Sequence, residues 1–126
     1  MADIDWQYLL FQFDGRINRA KFWWGVGGLI VGYLILGVVF QLVDSGAIRG
    51  LLGLVYIAFI WPSLAISIKR WHDRDKSGWW VLINFVPIIG GIWALIETGF
   101  LEGTSGPNQY GPDPLQPDMP DPLAAG

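Results

Sequence analysis

Three long apolar stretches, residues 20–42, 51–68 and 79–101, take up about half of this chain and dictate the solvent it folds in. The first has no charge between Lys21 and Asp44. Its 23 residues reach ~34 Å as a helix, enough to cross a hydrocarbon core of about 30 Å. The second contains Pro62, which predicts a kink that neighbouring helices or Ser63 must satisfy. The third contains Asn84, Pro87, Gly90, Gly91 and Glu97. The expected fold class is all-α and integral to a membrane: a three-helix transmembrane bundle with an interfacial N-terminal helix. Composition agrees. Only 15% of residues are charged, against about a quarter in soluble domains. Eight Trp suit a chain with two membrane interfaces.

The segments between these stretches set the rest of the outline. Trp6, Leu9, Leu10 and Phe13 form one stripe of a short N-terminal helix. It either lies in the interface or packs on the bundle. Asn18 and Ser77 are placed to cap the helices that follow them. Residues 43–50 form a short loop that joins antiparallel neighbours. The first apolar segment is too long for a signal-peptide core and reads as an uncleaved anchor. Residues 1–114 are expected to form a single membrane domain. Residues 115–126 are expected to form a disordered acidic, Pro-rich tail, with Tyr110 ahead of it as the candidate anchor against the outer face.

Charge sets the orientation. Arg16, Arg19 and Lys21 precede the first span, and Lys69, Arg70, Arg74 and Lys76 lie between the second and third. With three spans, seven of the eight Lys and Arg residues share one side. The positive-inside rule then makes the N-terminus cytoplasmic and the C-terminus external, periplasmic in a Gram-negative cell. A competing topology breaks the third stretch at Pro87, Gly90 and Gly91 into a re-entrant hairpin, which returns the tail to the cytoplasm. Non-helical backbone at that depth needs cover from protein or a water-filled cavity.

The most polar run is Lys69-Arg70-Trp71-His72-Asp73-Arg74-Asp75. If it converges with Arg16 and Arg19, the candidate polar or headgroup site is Arg16, Arg19, Arg70, His72, Asp73 and Arg74. Arginine binds phosphate oxygens bidentately, with Trp71 at headgroup depth. Alternatively Asp14, Asp73 and Asp75 neutralise the arginines, and the patch becomes a clamp between helices. His72 beside Asp73 lacks the nucleophile, metal site or oxyanion device of an enzyme. The absence of Cys and the single His leave no thiolate or multi-histidine metal site, so no cofactor is expected. Gly28 and Gly32 make a small-xxx-small pattern, read as packing within the bundle or as homo-oligomerisation. Glu97 is expected near the outer interface rather than in a transport track.

Four stretches in order carry a resemblance over nearly the whole chain. They are Phe13-Asp-Gly-Arg16-Ile-Asn18-Arg19-Ala-Lys-Phe22-Trp23; Pro62 and Ala65 leading to Lys69-Arg70-Trp71-His72-Asp73; Ser77-Gly78-Trp79-Trp80 with Pro87 and Gly90; and Gly103-Thr-Ser-Gly106-Pro-Asn108-Gln-Tyr110-Gly111-Pro-Asp113-Pro114. This pattern resembles the bacterial inner-membrane proteins of the domain of unknown function 805 family, which includes YhaH-like proteins. Trp71 stands where members usually have Leu. The resemblance implies a small multi-span protein of the inner (plasma) membrane with no assigned activity. Together these readings lead to a non-enzymatic protein that binds anionic lipid headgroups or a partner membrane protein through a basic cytoplasmic face, not nucleic acid. The alternative is a small transporter or channel subunit that works as an oligomer.

Overall fold

The computed structural model describes residues 4–115; the expected tail, from residue 116 onward, lies outside the described residues. Among these residues all regular elements are helical. Helix α1 covers Trp6–Phe11, capped by the Asp5 carboxylate on the Tyr8 N–H. Helix α2 covers Arg19–Leu42. Asn18 caps it as expected, accepting from the Lys21 N–H at 2.8 Å. Ser45 starts helix α3, Gly46–Ala58, several residues earlier than the apolar run suggested, by accepting from the Ile48 N–H. Helix α4, Ile60–Asp73, follows after a single interruption at Phe59.

Pro62 explains that interruption. It lacks an N–H for the Ala58 carbonyl, and its ring presses on the turn before it. Ser63 Oγ donates to the Phe59 carbonyl at 2.9 Å and steadies the break. Together α3 and α4 form one apolar rod, Gly46–Asp73, and this rod and α2 are long and apolar enough to cross a membrane. They are held by Tyr33, Tyr56 and Phe59, whose rings meet at 5.0–5.3 Å. Gly32 lets α2 approach closely, since a Cβ there would lie 2.7 Å from the Phe59 ring, whereas Gly28 meets nothing. The two glycines therefore serve different surfaces.

The third stretch does not cross as a straight helix. It begins as a 3₁₀ helix, Gly78–Phe85, with Ser77 accepting from the Trp79 N–H. It turns at residues 86–88 and returns as α5, Ile89–Leu95, ending in a π turn, Ile96–Phe100. Ile88 sits at φ 65° and ψ −66°, and the Ile89 N–H donates to the Pro87 carbonyl at 2.7 Å across it. That is a γ-turn, a strained shape for a β-branched residue. Gly90 makes the reversal possible, because a Cβ there would lie 1.8 Å from the Ile83 carbonyl oxygen. The limbs match in reach: eight 3₁₀ residues rise ~16 Å, and Ile89–Phe100 rises ~18 Å. Each is about half the depth of a hydrocarbon core. In place of the expected three-helix bundle the described residues form two long helices and a hairpin whose limbs are each about half as long as a span.

Trp71 does not face outward as an interfacial anchor would: it is fully buried, stacked on Trp80 at 5.7 Å, and Trp80 faces Trp93 at 6.5 Å. This ladder fastens both hairpin limbs to α4. The N-terminal helix packs on the bundle: Leu9 joins Ile17, Phe22 and Ile66 in the apolar core. Phe13, beyond the end of α1, stacks on Trp61 at 4.6 Å.

Candidate functional site

The last turn of α4 carries Lys69, Arg70 and Asp73, all buried. Cations suit the negative end of a helix, and a Schellman closure fixes this one. The Lys76 N–H reaches the Trp71 carbonyl and the Asp75 N–H the His72 carbonyl, each at 2.9 Å. Asp75 supplies the left-handed residue at φ 61°. The turn therefore presents its side chains in a defined direction, toward residues 15–17 and the tail.

Asp73 is the hub. One carboxylate oxygen accepts from Arg16 Nε at 3.0 Å, with Nη2 of the same guanidinium also 3.0 Å away in the ion pair; the other accepts from Arg70 Nη1. The two guanidiniums then spend their remaining donors on main-chain oxygens. Arg16 reaches the carbonyls of Thr104 at 2.6 Å, Gly106 at 2.8 Å and Gly111 at 3.2 Å. Arg70 reaches those of Thr98 at 2.6 Å and Leu101. Two buried cations and one anion leave a surplus positive charge, which these carbonyl dipoles offset. Lys69 does the same for α1: its ammonium donates to the Leu9 carbonyl at 2.8 Å and to that of Tyr8, in the unpaired last turn of that helix.

The tail is built to receive these donors. Thr104 N–H bonds the Asp73 carbonyl at 2.6 Å. Gly103 must be glycine, since a Cβ there would lie 1.8 Å from an Asp73 carboxylate oxygen. Asp113 accepts from the Gly106 and Leu115 N–H groups at 2.8 and 2.9 Å. Asn108 Nδ2 donates to the His72 carbonyl at 2.9 Å. Tyr110 lies flat on His72, ring centroids 3.9 Å apart. Tyr110 is thus an anchor, but at the same end as Arg16 and Arg70. The reversal at Gly90 is the physical reason the tail does not reach the opposite end.

Glu97 shares this end. It accepts from Arg74 at 3.2 Å, from Lys76, and from Trp93 Nε1 at 3.3 Å. It ties the base of the return limb to the turn after α4 instead of reaching the far interface. Burial opposes its ionisation, but hydrogen bonds from Lys76 and Arg74, and their charge, outweigh this and hold its pKa below the usual value.

Of the six residues singled out from the sequence, Arg16, Arg70 and Asp73 meet in one buried cluster. His72 stands beside it, its Nδ1 2.9 Å from the Gly15 carbonyl. Arg19 lies at the rim, bonded to the Phe100 carbonyl at 2.8 Å, and Arg74 turns to Glu97. Asp14 and Asp75 stay exposed. A cavity of about 200 Å³ over the cluster is lined by Asn18, Arg19, Asp73, Glu102 and Thr104. Sequence reasoning placed Lys69 in the polar run, and Asn108 and Asp113 in the Gly-Pro-Asn-rich run, without giving them a part in the site, and it missed Thr98. Among the described residues no group of three or more His, Cys, Asp or Glu side chains is placed to hold a metal.

A family described as "Protein of unknown function (DUF805)" matches residues 10–112. That range runs from the end of α1 to the tail loop that Arg16 grips. The inner membrane protein YhaI of Escherichia coli is 42% identical over 104 residues, covering 81% of this chain and 85% of its own. The uncharacterized protein YiiR of Escherichia coli is 34% identical over 136 residues, covering 85% of this chain and 88% of its own. The inner membrane protein YhaH of Escherichia coli is 32% identical over 123 residues, covering 90% and 100%. No solved structure matches. With the match running through both long helices, the hairpin and the tail that closes the charge cluster, the chain belongs to the DUF805 family of bacterial membrane proteins.

Proposed function

We propose that this inner-membrane protein is a non-enzymatic module that binds anionic lipid headgroups at the cytoplasmic face through the rim of its basic end. The supporting observation is how the cationic side chains divide. Seven of the eight Lys and Arg residues gather at one end. There Lys69, Arg70 and Arg16 are consumed internally, while Arg19 and Lys21 stay accessible at the start of α2. Each basic residue at a membrane surface attracts anionic lipid by about 1 kcal/mol. The headgroup site is therefore narrower than the whole basic patch. The positive-inside rule gives this end to the cytoplasm, and the tail goes with it.

Native mass spectrometry from membranes tests the reading. Anionic lipid adducts are expected on the wild type and should fall several-fold with Arg19→Gln plus Lys21→Gln, with insertion unchanged. Equal adducts on both proteins reject it.

A second reading, an oligomeric transporter or channel subunit, is favoured by the hairpin. Its 3₁₀ backbone and γ-turn at mid-depth call for protein cover that two helices supply only in part. Reconstituted vesicles that leak a defined solute, and stop leaking with Asn84→Leu, would support it. Vesicles tight to every solute tested count against it.

A further inference from the structure

We infer that a groove beside His72 holds an aminophospholipid, with its ammonium on His72 and one acyl chain running down α4. The groove lies between α4 and the 3₁₀ helix and has a volume of about 530 Å³, within the range of pockets that hold small molecules. Its walls include Leu64, Ile68, Trp79 and Leu82, and its polar groups are His72 and Ser77. Residues 64, 68 and 72 repeat every fourth position, so they line one face of α4 over ~12 Å. The polar end is level with Gly15 and Tyr110, in the charged layer. The other end descends along a helix that is apolar enough to span a bilayer. An amphiphile with its head up and its chain down fits this gradient.

The chemistry of the polar end selects the head. His72 Nδ1 faces the Gly15 carbonyl, which only accepts, so Nδ1 carries the proton. In the neutral ring Nε2 is then an acceptor. No partner meets it among the described residues. Gly78 keeps that face open, since a Cβ there would lie in contact with Nε2 at 3.6 Å. Stacking on Tyr110 and the bond to Gly15 fix the ring in this orientation. Ser77 Oγ accepts from the Trp79 N–H at 3.2 Å, which leaves its own O–H free to donate. An acceptor beside a donor at the mouth of an apolar groove matches an ammonium beside a phosphate or ester oxygen. A primary ammonium can donate to Nε2; a quaternary one, lacking N–H, cannot.

The full-length protein in nanodiscs of equimolar dioleoyl phosphatidylethanolamine and dioleoyl phosphatidylcholine provides the test, read by native mass spectrometry. A charge-assisted hydrogen bond predicts at least about tenfold preference for the ethanolamine lipid. His72→Phe keeps a ring against Tyr110 but should bring the preference to about one. Leu64→Trp fills the chain channel away from His72 and should deplete both lipids. Equal binding of the two lipids by the wild type overturns the inference, as does a preference that survives both substitutions. If His72→Phe does not fold, Leu64→Trp decides. The Arg19→Gln plus Lys21→Gln variant should keep the ethanolamine preference, so failure of the rim reading and failure of this one remain distinguishable.

Discussion

Asp73 shows how one carboxylate organises the polar end. Among the described residues it is the only anion between the two buried guanidiniums, and both orient on it as well as on the tail. Removing one partner of a buried ion pair leaves the others uncompensated, which costs about 3–5 kcal/mol. Asp73→Asn should therefore lower the thermal midpoint in detergent sharply. Arg19→Gln removes a pair whose side chains are 45% and 86% exposed; it should cost less than about 1 kcal/mol. Thermal scans of the two variants side by side check the contrast. The sequence showed that basic stretches and acids were available to meet. It could not show that main-chain carbonyls of residues 98–111 would take most of the arginine donors, because a carbonyl partner leaves no residue-type signature. Lys69 was hidden for the same reason, its acceptors being the last turn of α1.

At the scale of elements, the hairpin is where hydropathy misled. A window of apolar residues reports solvent and length but not path, and residues 79–101 pass as a full span on both counts. The signals for reversal, Pro87 and Gly90, were legible, but their meaning depends on Ile83 lying across from Gly90. Gly90→Ala should push the limbs apart and cost several kcal/mol, since the clash is with backbone. Proteolysis and thermal scans would register the loss. A second expectation concerns the base of the hairpin. The Glu97 pKa is depressed, so its contribution is present above the ordinary carboxylate value of about 4.3 and is lost as pH falls through the lower folded value. Thermal midpoints measured from pH 7 down to 3 should drop more steeply for the wild type than for Glu97→Gln. The caps at Asn18 and Ser77 and the break before Pro62 were readable, because each depends on neighbours only a few residues away.

For the molecule as a whole, the reversal leaves two helices long and apolar enough to cross a membrane and brings the tail loop beside residues 15–17. The chain contains no Cys, so single cysteines at Ser105 and Ala47 can be probed without background. Ser105 should react with an impermeant maleimide only after the cells are opened, and Ala47 in intact cells whose outer membrane admits the reagent. Reaction of both positions in intact cells would restore the three-crossing arrangement. The helical, membrane-embedded character of the described residues was legible from the length of the apolar stretches and the low share of charged residues.

The grip of Arg16 on the carbonyl of Gly111 joins positions 95 residues apart. Without residues 104–111 Arg16 keeps only Asp73 as a partner, and the polar end stays open. A version shortened before residue 104 should therefore carry an open, charged seam at this end, which limited proteolysis would register as new cleavage around residues 15–17.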